Sequence, residues 1–446
     1  MNGLSRFKQI ILVTGDVAIL YAALTVTVWL RYGNFFYAYL VDRHLEPFTV
    51  VFAIWILVFY IAGLYDLQTL KNDFEFEKKF WYTLFINTII TALVFYSVPY
   101  FGITPRANLG IFLLIFGGLS YIWRQTYNLL MAKTGAASRV LLIGSNKTAE
   151  ELAKTIEENP QLGYKINFWM KEGLQDKEFE HLAQIILANK INTVVMPGHL
   201  KKDNKAAKLI YQTLLLGIEV IDLAALYELI FRKVPLAELE EVWFLENLVK
   251  KHKIYEMISQ PLEILFALFL SVILLPLAII ITFLVKATSP GSAFFSQKRI
   301  GKNGKEFIIW KFRTMAEDAE KDGPQWANYH KDDRATPIGK LLRRSHLDEL
   351  PQLFNILKGE LSFVGPRPER PEFVEKLKKE LPYYDLRHLT KPGITGWAQI
   401  NYRYAASAED AYQKLQYDIY YIKNNSPLLD FLIILKTIKF LITNHT

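Results

Sequence analysis

The sequence predicts a three-part membrane protein: an α-helical bundle in the bilayer, an α/β domain of Rossmann-like pattern, and a mainly helical α+β domain with its own membrane segment. Three observations predict it. Four apolar runs crowd residues 1–135, strand-like and helix-like stretches alternate over 136–250, and another long apolar run opens 251–446. The content of 51% hydrophobic and 14% aromatic residues is high for a soluble chain. There is no cysteine, which excludes disulfides, thiolate metal sites and cysteine nucleophiles, and the eight histidines show no metal-ligand spacing.

The bundle comes first. Apolar runs at about residues 9–30, 48–65, 80–101 and 108–130 are each long enough to cross a bilayer. The first is longer than a signal-peptide core and lacks a small-residue cleavage site, so it reads as retained. Arg6, Lys8, Lys71, Lys78, Lys79, Lys133 and Arg139 fall on one side, against Arg31, Arg43 and Arg106 on the other. That bias places both ends of the bundle in the cytoplasm.

The middle domain opens with RVLLIGSNKTAEELAKTIEEN, a strand, turn and helix, and continues with the strand candidates INTVVMPG and IEVIDL. The turn has Gly144 alone, with Asn146 and Ala149 where a dinucleotide-binding loop wants glycines. No firm NAD site is expected. The domain reads as a degenerate Rossmann-like spacer or oligomerisation unit, which leaves a homodimer open.

The most informative stretch is RRSHLDELPQLFNILKGELSFVGPRPE, residues 343–369. It sets Asp348 and Glu349 side by side between a cationic segment and a Gly-Pro-Arg-Pro turn. A carboxylate attacks an anionic diphosphate only after cations have cancelled the repulsion, and here the cations are supplied locally. From Lys286 onward there are 26 Lys and Arg against 19 Asp and Glu, a surplus of +7 out of +8 for the whole chain. The excess positive charge thus lies where anionic substrates and lipid head groups would be met. No nucleic-acid reading motif accompanies it, so nucleic acid is not an expected partner. Pro366 and Pro368 stiffen the backbone around Arg367 and hold its guanidinium ready for phosphate.

Three segments occur in order: QKRIGKNGKEFIIWKFRTM (Gln297 to Met315), DELPQLFNILKGELSFVGPRP (Asp348 to Pro368) and KPGITGWAQIN (Lys391 to Asn401). Together they resemble the catalytic domain of the bacterial polyprenyl-phosphate hexose-1-phosphate transferases, the monotopic phosphoglycosyl transferases, over roughly residues 255–446. The resemblance implies that Asp348 is the nucleophile toward a nucleotide-sugar, giving an aspartyl phosphosugar and releasing UMP from a UDP-sugar. Glu349 would assist as Mg²⁺ ligand or as base. Lys311, Arg343 and Arg367 match the family's phosphate-handling cations. Polyprenyl phosphate would then take the phosphosugar and start polysaccharide assembly. Asp348 and Glu349, with no soft ligand nearby, suit Mg²⁺, for which Mn²⁺ could substitute.

Residues 264–285, ILFALFLSVILLPLAIIITFLV, are long enough to cross, yet Lys250, Lys251 and Lys253 precede them and Lys286, Lys298 and Arg299 follow. Both ends therefore prefer the cytoplasmic face, and Pro276 supplies a break. The expectation is a re-entrant helix-break-helix over about 262–286, in a catalytic domain on the cytoplasmic face of the bacterial inner membrane. Where the family has Ser-Pro at the break, this chain has Leu275 before Pro276. Pro427 to Ile442, with Lys436 and Lys439, fits a helix in the head-group layer or one packed on the re-entrant segment. Gly393 and Gly396 in KPGITGW mark a tight turn that could approach the nucleotide or sugar, or serve structure alone. Two rival readings remain from other classes. A membrane-anchored nucleotide-sugar dehydratase or epimerase would want an intact glycine loop and a Tyr-x-x-x-Lys pair, and neither is found. A non-catalytic scaffold of polysaccharide assembly would need no carboxylate dyad among cations.

Overall fold

A computed structural model describes residues 3–65, 74–97, 106–133, 138–171, 182–201, 211, 217–248, 252–315, 335–402 and 407–443. Its contacts divide the chain into two compact units, Met1–Ile230 and Phe231–Thr446.

The first unit begins with four helices, α1 (Gly3–Tyr32), α2 (Leu45–Ala62), α3 (Phe74–Ser97) and α4 (Arg106–Lys133). Helical turns through Gly33–His44 fold α2 back on α1, where Tyr21 donates to Thr49 Oγ1 at 3.1 Å and sets its ring edge-on to Phe52. Trp55, Phe59, Phe112 and Phe116 stack between α2 and α4, as large aromatics do when area and ring geometry both favour contact. A buried ion pair of Asp16 and Arg124 joins α1 to α4, and Arg124 also donates to the Leu64 carbonyl at 2.9 Å. Three helical stretches of the described chain are long and apolar enough to cross a membrane: Gln9–Ala62, which takes in most of α1 and all of α2, Phe76–Ser97 and Ser259–Thr288. The protein is a membrane protein. The expected fourth crossing, α4, forms a helix but is not among these stretches; Arg124 and Gln125 interrupt its apolar run.

After the bundle, β1 (Ser138–Ile143), α5 (Lys147–Glu158), β2 (Tyr164–Met170), α6 (Leu182–Ala188), β3 (Thr193–Met196), β4 (Glu219–Asp222) and α7 (Leu223–Phe231) alternate. The strands form one parallel sheet in the order β2-β1-β3-β4. Alternating α/β patterning was legible, but β2 was not singled out. Asn146 caps α5 by accepting from Ala149 N at 2.8 Å.

The second unit begins at Phe231. Trp397 Nε1 donates to Arg232 O at 2.9 Å, Val234 N to Gln416 O at 3.1 Å, and Phe244 in α8 (Glu241–Leu248) packs on Tyr383. Next comes α9 (His252–Thr288). It runs without interruption through Pro261 and Pro276, so the expected break at Pro276 is absent from the secondary structure. The proline removes one backbone hydrogen bond, but its neighbours keep helical geometry. One seam of α9 is buried. Ala267 packs with Phe307, Ile309, Ile356 and Leu361, while Ile281 and Val285 pack with Ala293, Phe312 and Leu342. Eighteen residues separate Ala267 from Val285, about 27 Å of helix, and both ends touch the same unit. The opposite face, including Leu265, Phe269, Val272 and Phe283, is apolar and exposed.

The hairpin β5 (Phe294–Ile300) and β6 (Glu306–Phe312) follows, then α10 (Pro337–Ser345), α11 (Leu353–Leu357), β7 (Ser362–Val364), α12 (Pro371–Glu380), β8 (Gly393–Thr395), α13 (Trp397–Asn401), α14 (Ala408–Asn424) and α15 (Pro427–Thr443). β5 and β6 pair antiparallel, β7 and β8 parallel. The Thr437 and Thr395 hydroxyls hydrogen-bond at 2.6 Å, tying α15 to β8.

Candidate active site

A reversal of the chain presents the dyad. Thr336 caps α10 by accepting from Gly339 N at 3.0 Å, and the helix ends at His346, whose φ of 55° is left-handed. A residue other than glycine rarely adopts that conformation, and here it steers the backbone into the 3₁₀ turn Leu347–Gln352. Asp348 and Glu349 are thereby turned inward and buried. His346, assigned no role from sequence, thus shapes the turn through its backbone.

Asn355, fully buried, fixes this turn against β6. Its Nδ2 donates to Ile308 O at 2.6 Å and to Glu360 Oε2 at 2.8 Å, and its Oδ1 accepts from Trp310 N at 3.2 Å. Lys311, the next residue along β6, consequently reaches the dyad. Its Nζ lies 2.6 Å from Glu349 Oε1, and Arg367 Nη2 lies 2.9 Å from the same oxygen. Both short contacts fall on Glu349, which leaves Asp348 the freer carboxylate.

The two acids are pushed apart electrostatically. Burial raises the Asp348 pKa to about 6, with Lys311 opposing, Glu349 reinforcing, and Arg367 and Arg343 opposing more weakly. Burial would raise Glu349 too, but Lys311 and Arg367 outweigh it and hold that carboxyl well below the ordinary range. Near neutral pH Glu349 stays an anion and is ill suited to act as a base. Asp348 is ionised above pH 6 and poorly solvated, the condition of a reactive carboxylate.

The Gly-Pro-Arg-Pro turn is held through its backbone. Gly365 N donates to Thr395 O at 2.9 Å and Gly393 N to Pro366 O at 3.0 Å. A Cβ on Gly393 would lie 2.1 Å from Gly365 N, and one on Gly396 would lie 2.2 Å from Gly365 O. The glycines of KPGITGW therefore let two backbones touch and set the position of Arg367, a use nearer than contact with a ligand. Pro366 and Pro368 flank Arg367 as expected and border a recess with Gly301 and Thr390. Arg343 acts on Asp348 through its charge. Sequence reasoning missed Gly365, although it stands inside a quoted motif, and gave Arg299 only a place in the cationic flank of α9, whereas its Nη1 donates to Pro368 O at 3.1 Å.

For a metal ion, the donor chemistry is hard oxygen only. Among the described residues no group of three or more His, Cys, Asp or Glu could hold one. Glu349 Oε1 is already shared by two cations, so Asp348 and the second Glu349 oxygen remain. That set fits Mg²⁺ bound jointly with substrate phosphate oxygens, as is usual for this ion.

A model of the bacterial sugar transferase family matches residues 254–444. The chain is 45% identical over 190 residues to the UDP-N-acetylgalactosamine-undecaprenyl-phosphate N-acetylgalactosaminephosphotransferase of Aeromonas hydrophila, covering 43% of this chain and 45% of that protein's length. It is 27% identical over 441 residues to the UDP-glucose:undecaprenyl-phosphate glucose-1-phosphate transferase of Escherichia coli (strain K12), covering 94% and 88%. A protein of the same name from Caulobacter vibrioides is 37% identical over 185 residues, 41% of this chain and 68% of its own. The dyad among its cations lies within the region these proteins share, and the chain belongs to the bacterial sugar transferase family.

Proposed function

We propose that this protein transfers a sugar 1-phosphate from a UDP-sugar to undecaprenyl phosphate. The observation that carries this reading is the arrangement of Asp348, freer and less acidic than usual, beside Glu349 with Lys311 and Arg367 on one of its oxygens. An Asp348 oxygen attacks the sugar-bearing phosphorus, the bond to the bridging oxygen breaks, and UMP leaves with the electron pair. A phosphate oxygen of the lipid then attacks the same phosphorus and frees Asp348, leaving a diphosphate-linked sugar. Lys311 and Arg367 exchange Glu349 for the phosphate oxygens in transit and stabilise their charge. Asp348 and Glu349 would hold Mg²⁺ together with substrate phosphate oxygens, and the ion would supply charge neutralisation there.

Offering the purified protein a panel of UDP-sugars, including UDP-glucose and UDP-N-acetylgalactosamine, with undecaprenyl phosphate and Mg²⁺ tests the assignment. UMP release with one of them is expected, stopped by EDTA and restored by Mg²⁺ or Mn²⁺. Full release in chelator would remove the metal; no release with any sugar would remove the activity. The pH profile follows from Asp348. Because its pKa is raised to about 6, the nucleophilic anion is lost below that pH, and adduct formation should fall about tenfold per unit as pH drops from 6. A rate that stays flat down to pH 5 would mean another group attacks.

Both ends of α9 stay, on this reading, on the cytoplasmic face of the inner membrane, and the helix enters the lipid through its outward apolar face. Support comes from the cationic flanks and from the packing of Ala267 and Val285 on one unit. Cysteines placed singly at Lys253 and Ser292 of this cysteine-free chain report the topology. In intact cells both should resist an impermeant maleimide until the inner membrane is opened. Labelling at 292 alone would mean a spanning helix.

A further inference from the structure

Every backbone carbonyl from Pro366 to Glu369 is claimed by a different residue, from three parts of the C-terminal unit. Gly393 N holds Pro366 O, Arg387 Nη2 holds Arg367 O at 2.9 Å, Arg299 Nη1 holds Pro368 O, and Ile300 N holds Glu369 O at 2.9 Å. Two of the four holders are guanidinium groups. Of these Arg387 is the more deeply set. It is buried, its Nη1 donates to the Tyr384 hydroxyl, and its Nη2 pairs with Asp418 at 3.0 Å, itself 2% exposed in the middle of α14. Leu415, Ile419 and Ile422 surround Asp418 on the buried face of that helix, where a carboxylate is costly without a fixed cation.

We propose that Asp418 and Arg387 are positioning residues for the transfer reaction: Asp418 orients Arg387, and Arg387 grips the Arg367 carbonyl so that the Arg367 guanidinium points at the transferred phosphate. The proposal rests on the phosphosugar-transfer reading. A guanidinium is required because one planar group must face a carbonyl, a hydroxyl and a carboxylate together, which an ammonium cannot do in the same geometry. Arg367 is itself only half-buried and bonds Glu349 from the end of a long side chain. A shift of its backbone carries that guanidinium with it. A displacement of an ångström at such a group is enough to cost about 10²-fold in rate.

The test is a double-mutant cycle on the full-length protein. Arg387→Lys and Asp418→Asn should each lower kcat/KM for the nucleotide-sugar by about 10- to 100-fold, because the misplaced guanidinium faces the phosphates in the bound state as well as in the transition state. In an Arg367→Ala background the same substitutions should cost less than about twofold more. Full additive losses would overturn the positioning role. Where Asp418→Asn lowers the melting temperature enough to confuse the rates, Tyr384→Phe, which removes the hydroxyl that accepts from Arg387 Nη1, replaces it in the cycle. The cycle is also read by calorimetry with Mg²⁺ and inorganic pyrophosphate, where non-additive losses of affinity are expected. Protein that binds pyrophosphate with that non-additivity but transfers no sugar phosphate would sink the functional reading while sustaining the positioning role.

Discussion

Asp348→Asn is expected to abolish sugar-phosphate transfer, with a loss of at least about 10³-fold, while leaving nucleotide-sugar binding close to that of the unaltered protein. The amide has the shape of the carboxylate but cannot form the acyl phosphate. Intact-protein mass spectrometry after incubation with the UDP-sugar alone separates this from general damage. The unaltered protein should gain the mass of one hexose phosphate and Asp348→Asn none. Near-normal turnover by the variant would end the covalent mechanism, whatever the remaining cations do.

Gly393→Ala is the second large effect. Its Cβ would stand 2.1 Å from Gly365 N and 2.6 Å from the carbonyls or carbonyl carbons around it, all of them backbone. No side chain can swing away, so β7 and β8 must separate and the Arg367 turn must move with them. Overpacking of this kind costs about 1–3 kcal/mol or more in stability. Activity should fall further than stability, by about 10²-fold, since the turn carries a group that must be placed closely. Thermal melting and UMP release on the same sample check this. Equal activity at unchanged melting temperature would show that the two backbones are not in contact.

Much of the site was legible because its chemistry is local in sequence. Asp348 and Glu349 are neighbours, Arg367 lies between two prolines, and Lys311 belongs to a long motif, so proximity to charge could be guessed before any fold was known. What was not legible depends on distant strands meeting. Nothing in KPGITGW states that Gly393 and Gly396 pack against Gly365, and nothing in α14 names Arg387 as the partner of Asp418. The division of labour within the dyad was hidden too, since only the fold brings both cations to Glu349. Apolar length found the stretches Gln9–Ala62, Phe76–Ser97 and Ser259–Thr288, while the expected break at Pro276 does not show in the helix assignment of α9. Proline's local penalty argued for a break, whereas packing along the Ala267 to Val285 seam keeps the helix whole. The α/β strands followed the apolar pattern except β2, whose Lys165 and Asn167 dilute it.

The seam on α9 also sets a height. Leu342, Leu347 and Leu350, which bracket the dyad in sequence, pack on the same stretch of helix as Ile281 and Val285. On the proposed reaction, and with that helix in the lipid by its other face, the level at which it floats sets the level at which Asp348 would meet a lipid phosphate. The donor arrives from water and is indifferent to that level; the acceptor is not. Thinner or more loosely packed bilayers should therefore alter the second half-reaction and leave formation of the phosphosugar adduct untouched, making the membrane's own thickness a control on one step of the chemistry.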